Sequence, residues 1–132
     1  MRAVYDTSLL ATIVSRRGII HQLQADVSTS KVSLVTSPFI LGELERILVA
    51  KFGLTKQGAK LRTRLLSRVA NVVQPKRIAP VSRDTNDDPI IATAITGQAE
   101  YIVTFDYDLL VLKKHEDIQI VTPDDFKKII SA

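Results

Sequence analysis

Asp88-Pro-Ile-Ile-Ala-Thr-Ala-Ile-Thr-Gly97, followed at once by Tyr101-Ile-Val-Thr-Phe-Asp-Tyr-Asp108, decides how this chain reads. The first run has the chemistry of a helix. Proline stands near its start, Ile90, Ile91, Ala94 and Ile95 repeat at helical spacing, and Gly97 closes it. The second run is a strand over Tyr101–Thr104, β-branched and apolar, after which Asp106 and Asp108 lead into a short helix around Asp108–Leu112. A helix feeding a strand that stops on an acid is a unit of an α/β fold.

The same grammar extends in both directions. Met1–Tyr5 is a short buried strand that stops on Asp6 and Thr7, and a helical pattern then runs to about Ser30, with a break allowed at Gly18. Val32–Thr36 is a second strand. Ser37-Pro38 supplies an N-cap and a first-turn proline for a helix whose stripe is Ile40, Leu41, Leu44, Ile47 and Leu48, ended by Gly53. Thr55 caps the next helix, with Leu61, Leu65, Leu66 and Val69 apolar and Lys56, Lys60, Arg62, Arg64 and Arg68 on its other faces. Val72–Gln74 is a short strand or connector, and Pro75–Pro80 is loop. Ile118–Val121 is a strand, and Thr122-Pro123 opens a last helix carrying Phe126, Ile129 and Ile130. Alternation of this kind predicts an α/β protein, a three-layer α/β/α sandwich with a mostly parallel central sheet, and 132 residues suit a single domain over 1–132.

Composition removes several classes of function. There is no cysteine, which excludes disulfides, thiol catalysis and cysteine-ligated zinc or iron–sulfur. No apolar run approaches the ~18 residues of a membrane span, and Asp6 interrupts the first apolar stretch, so no signal peptide is expected and a cytoplasmic location is. No glycine-rich phosphate loop supports dinucleotide binding. Net charge is +4 and unevenly spread: residues 46–83 carry ten Lys or Arg and no acid, whereas residues 84–132 carry ten acids and four bases. That segregation fits a polyanion-binding surface beside a carboxylate-rich site, or merely solvated helix faces.

Ligands of open parallel sheets bind beyond the carboxyl ends of the strands. Asp6 follows the first strand and Asp106 the strand at 101–104; Glu43 and Glu45 ride on the helix after the second strand, and Asp87-Asp88 opens a further helix. Crowded carboxylates repel one another unless a hard cation sits among them, and Mg²⁺ or Mn²⁺ takes oxygen ligands. Each acid also has a plain structural use. Asp6, Asp88 and Asp106 can cap helices, and periodicity does not choose between Glu43 and Glu45. His21 and His115 are too isolated for a ligand pair and read as surface residues.

These segments resemble the PIN-domain family, which includes the VapC-type toxins of toxin–antitoxin pairs. AVYDTSLL (residues 3–10) is similar to its opening strand, SPFILGELERIL (37–48) to the segment bearing its second acid, RDTNDDPIIATAI (83–95) to its Asp-rich helix start, YIVTFDYDLL (101–110) to its strand and Thr-x-Asp, and IQIVTPDDF (118–126) to its closing strand and helix. The resemblance implies a metal-dependent endoribonuclease that hydrolyses RNA phosphodiester bonds with Mg²⁺ or Mn²⁺ and no covalent intermediate. It puts the catalytic and metal-binding carboxylates at Asp6, Glu43, Asp88 and Asp106. It gives Thr104, Ser8 and Asp108 supporting places, with Asp84 and Asp87 as acidic neighbours. The family usually has Asn where Ser8 stands. A homodimer and a small antitoxin partner are further implications. A PIN-fold module that binds nucleic acid or acts as a scaffold without cutting is the alternative. Phosphotransfer fits poorly, since Ser8 stands where a dehalogenase-type phosphatase needs a second Asp, and Val103-Thr104-Phe105 lacks the lysine a receiver needs.

Overall fold

The structure, a computed structural model, describes residues 1–16, 32–75 and 88–131. In chain order these form β1 (Arg2–Tyr5), α1 (Thr7–Val14), β2 (Ser33–Thr36), α2 (Pro38–Phe52), α3 (Lys56–Val69), β3 (Asn71–Val72), α4 (Asp88–Thr96), β4 (Tyr101–Val103), α5 (Tyr107–Leu110), β5 (Lys114–His115), β6 (Ile118–Val121) and α6 (Pro123–Ser131). The six strands make one sheet in the order β3-β2-β1-β4-β6-β5. All pairings are parallel except that of β5 with β6.

Local chemistry sets most boundaries. The Ser37 hydroxyl accepts from the Ile40 N–H and caps α2, Pro38 occupies its first turn, and Gly53 ends it in the left-handed conformation (φ 71°). Thr55 caps α3 by accepting from the Gly58 N–H at 3.0 Å. Arg62 has a structural use: its guanidinium donates to the carbonyls of Val14 and, at 3.1 Å, Arg16, satisfying the open end of α1.

The strands bury both faces. Val4, Leu34, Ile102, Ile118 and Ile120 belong to the larger core with Leu10, Ile40, Leu44, Leu48, Leu66, Ile91 and Ala94. Ala3 and Val103 point the other way, onto Leu9 and Phe126. There Phe126 meets Tyr5 edge-on, ring centroids 6.0 Å apart, and Tyr101 at 5.4 Å. This is the expected three-layer α/β/α arrangement. Among the described residues no helix is long and apolar enough to cross a membrane.

Several details differ from expectation: α1 ends at Val14, short of the break allowed at Gly18, and Leu61 of the expected apolar stripe is exposed. Val72–Gln74 gives way to a strand at Asn71–Val72, and the short helix begins at Tyr107 rather than Asp108. The antiparallel strand at Lys114–His115 was not foreseen, and His115, expected on the surface, is half-buried in it. Two residues folding back through Glu116 (φ 53°) carry no periodicity to read. Asp88 is the first residue of α4 rather than its cap. The helical pattern beyond Arg16, His21, the loop beyond Pro75, and Asp84 and Asp87 lie outside the described residues.

Gly97 fixes the approach of α4 to the sheet. A Cβ there would collide with Val35 Cγ1. We predict that Gly97→Ala destabilises the fold by about 1–3 kcal/mol through overpacking, measured as a lower urea midpoint at unchanged m. A midpoint equal to wild type would mean that α4 is not held so tightly.

A carboxylate pocket where the strand order reverses

Chain order runs outward from β1 in one direction through β2 and β3, then restarts at β4 on its other side. The helical connections therefore diverge between β1 and β4, leaving a crevice beyond their carboxyl ends. Asp6 stands at that point. Its N–H donates to the Val103 carbonyl at 3.0 Å, carrying the ladder one residue past β1. Its side chain is consequently directed by the sheet rather than by a loop.

The Asp6 carboxylate is held at both oxygens. Oδ1 accepts from the Thr7 N–H at 2.7 Å, and Oδ2 from the Thr104 hydroxyl at 2.8 Å. Thr104 is fully buried and its oxygen accepts the Asp106 N–H at 2.9 Å. Asp106 in turn caps α5, its Oδ1 accepting the Asp108 N–H at 2.9 Å. Burial pushes the Asp6 carboxyl above the ordinary carboxylate value; the bonds from Thr104 and Thr7 oppose that rise, and the charge of Asp106 adds to it.

A cavity of about 380 Å³ opens over this pair, lined by Asp6, Thr7, Ser8, Phe39, Glu43, Ile47, Ile90 and Asp106. Phe39, Glu43 and Ile47 are one i, i+4, i+8 row of α2. That spacing was available in the sequence as the signal for Phe39, which composition-based reasoning passed over. Glu45 projects from the opposite flank of α2, into a separate depression with Lys60, Thr63, Arg64 and Ser67. Geometry thus separates the two glutamates that periodicity leaves equivalent. Ser8 is exposed at the rim, and its carbonyl accepts the Thr12 hydroxyl at 3.1 Å.

Not every expected residue joins the cavity. Asp88 is half-buried in the first turn of α4 and is not part of the lining, although Ile90 of the same helix is. Asp108 is half-buried in the first turn of α5 and also lies outside it. Glu43 forms an ion pair with Arg46. Among the described residues, no three acidic or histidine side chains converge closely enough to form a complete metal cluster. The donor chemistry nevertheless suits a hard divalent cation. Asp6 and Asp106 are close enough for one charge to act on the other, and Mg²⁺ commonly takes one or two carboxylates with water filling the remaining positions.

Phe39 is an exposed ring in the wall of this cavity (42%), and Phe105 (66%) and Tyr107 (70%), the chain neighbours of Asp106, are exposed without lining it. Solvated rings next to carboxylates are poor packing but good platforms for flat ligands.

A parallel α/β sheet with a half-buried strand-end aspartate, a Thr-x-Asp relay and a carboxylate cavity at its reversal point defines the class of PIN-type α/β domains. The family model for the PIN domain matches residues 2–108, and the chain belongs to that family. Two solved structures share the fold: VapBC-1 from nontypeable Haemophilus influenzae, at 20% identity over 91% of this chain and 96% of that one, and VapBC2 from Rickettsia felis bound to a promoter DNA fragment, at 13% over 92% and 98%; both have TM-score 0.58. No curated protein sequence matches closely enough to count as a relative.

A buried carboxyl with a raised pKa destabilises the fold as it ionises. Its unfavourable contribution is absent below the unfolded value of 3.8 and grows as pH rises through the folded value. Asp6→Asn retains the Thr7 contact without the charge. Its thermal midpoint should exceed that of wild type at pH 7 in metal-free buffer, and the gain should shrink as pH falls toward 4. A gain independent of pH would remove burial of the charge as its cause.

Proposed function

We propose that this chain is a metal-dependent endoribonuclease that hydrolyses RNA phosphodiester bonds at the Asp6–Asp106 pocket. The observation carrying this reading is that the sheet holds Asp6 half-buried, bonded at both oxygens and directed with Asp106 into one open polar cavity. Membership of the PIN family supports nuclease chemistry in general. The two related folds support a further reading: that the chain is the toxin of a VapBC-like pair, working as a homodimer in the cytoplasm and neutralised by a small antitoxin.

Asp6 and Asp106 would hold Mg²⁺ or Mn²⁺. Glu43 would join them on exchanging Arg46 for the cation, and Asp88 would act from the first turn of α4. When bound, the ion supplies an activated water and neutralises charge at the scissile phosphate. The chain's own part is positional. Thr104 fixes the Asp6 carboxylate and, through the Asp106 N–H, the start of α5. Asp108 contributes its N–H to that turn, and Ser8 offers a hydroxyl at the rim. Phe39, Phe105 and Tyr107 can stack bases flanking the cut. The second reading, a PIN-fold RNA-binding or scaffold module without activity, is favoured by the Glu43–Arg46 pair and by the position of Asp88 outside the cavity.

The test is cleavage of a structured RNA panel with Mn²⁺ or Mg²⁺, against EDTA. Asp6→Asn and Asp106→Asn should fall to background. Glu43→Gln should lose far more activity than Glu45→Gln, and Thr104→Val and Asp88→Asn should each lose roughly 10–100-fold if they act by supporting the ligands. Binding of RNA with no metal-dependent cutting would favour the scaffold. Equal activity of Glu43→Gln and wild type would overturn the site.

A further inference from the structure

The basic residues of the middle segment are not interchangeable. Arg62 is committed to α1 and Arg46 to Glu43. Among the other described bases of this segment, Lys51 stands in the last turn of α2, and Lys56, Lys60, Arg64 and Arg68, all exposed, lie on α3 at an unbroken four-residue spacing. Among the described residues none of the four makes an ion pair. Positions four apart are neighbours on a helix, so the row repels itself, and α3 contains no acid to relieve it. Successive charges rise about 6 Å along the axis, comparable with the separation of phosphates along an extended single strand.

The row borders a depression of about 390 Å³ between α2 and α3, in which Lys60, Thr63, Arg64 and Ser67 face Leu41, Gly42 and Glu45. This depression and the carboxylate cavity occupy opposite flanks of α2. At 100° per residue, Phe39, Glu43 and Ile47 cluster on one side, Leu41 and Glu45 on the other, and Gly42 and Arg46 form the solvent-facing crest between them. Gly42 is an interior helix glycine for which the described residues give no steric reason, since a Cβ there would meet none of them within 4 Å. Glycine weakens a helix relative to alanine. Here it lowers the crest between the two depressions.

We infer that the Lys56–Lys60–Arg64–Arg68 row is a phosphate ladder for one strand of RNA, which crosses α2 at Gly42 and enters the carboxylate pocket. This rests on RNA being the substrate. It adds the direction of approach and the residues that grip the strand away from the cut.

The experiment uses the full chain carrying Asp6→Asn, so that binding is read without cleavage, with oligouridine long enough to span both depressions and with the dinucleotide UpU. The slope of log K against log salt is measured. Adding Lys60→Gln and Arg64→Gln should reduce the magnitude of the slope for the oligomer by ~0.7 per residue removed. UpU binding should be unchanged, and the control Lys128→Gln should leave the slope alone. Gly42→Ala should raise the thermal midpoint yet weaken oligomer binding. An unchanged slope in the double variant, or equal losses for oligomer and UpU, would overturn the ladder. So would loss of binding to polyglutamate with RNA affinity intact, which would assign the row to an acidic protein partner. If the slope responds as expected but the chain with Asp6 intact cuts nothing in Mn²⁺, the ladder stands and the nuclease reading falls.

Discussion

A carboxylate taken partly out of water at the end of the central strand is the constraint around which this molecule is arranged. Burying a charge is costly unless hydrogen bonds replace its hydration, and Asp6 finds them in the Thr7 N–H and the Thr104 hydroxyl. Both partners depend on the sheet. Thr7 follows directly in the chain, and Thr104 reaches Asp6 only because β1 and β4 run parallel with Tyr5 opposite Val103. A shift of one residue in that register would turn Thr104 to the other face and leave the acid unsatisfied. The same threonine accepts the Asp106 N–H, so the second acid, the cap of α5 and the half-buried first acid form one polar chain.

α2 is the divider of the surface. Its buried row, Ile40, Leu44 and Leu48, anchors it to the core, and the Ser37 cap is tied to α4 by the Thr93 hydroxyl, 2.9 Å from Ser37 Oγ. What remains are two flanks of opposite character. One presents Glu43 to the acidic cavity, and the other looks across to Lys60 and Arg64. The segregation of charge along the chain thereby becomes in large part a segregation in space, with the Asp6–Asp106 cavity and the α3 row a helix width apart and only Glu45 facing Lys60 and Arg64 across the second depression. Arg46 bridges locally to Glu43 but leaves the α3 row untouched.

The elements were legible where their chemistry is local. Ser37-Pro38, Gly53 and Thr55 satisfy backbone groups within a few residues, so the sequence contains the whole interaction. Strand-end acids were legible for a topological reason: in a parallel sheet the residue after each strand faces the ligand edge. Illegible were features that depend on what packs alongside. Glu43 and Glu45 flank the apolar stripe symmetrically, and only the presence of Asp6 on one side and α3 on the other distinguishes them. Asp88 was placed correctly at the start of a helix, but the direction of a first-turn side chain depends on neighbours that periodicity does not reveal. The two-residue β5 has no pattern of its own and is created by pairing with β6.

Three features work against local stability without serving the core: the raised Asp6 carboxyl, the self-repelling row on α3, and the unneeded glycine on the crest of α2. Each has an ordinary replacement that would fold more readily: asparagine at 6, an acid among the four bases, alanine at 42. Natural sequences break local rules chiefly where function requires it. These three breaks follow one another in space, from the basic row across α2 to the half-buried acid. Independent blemishes would be expected to scatter over the surface, whereas a single strand of phosphodiester running into a hydrolytic site would require all three: positive charge to hold it, a low crossing point to admit it, and a carboxylate held ready where it arrives.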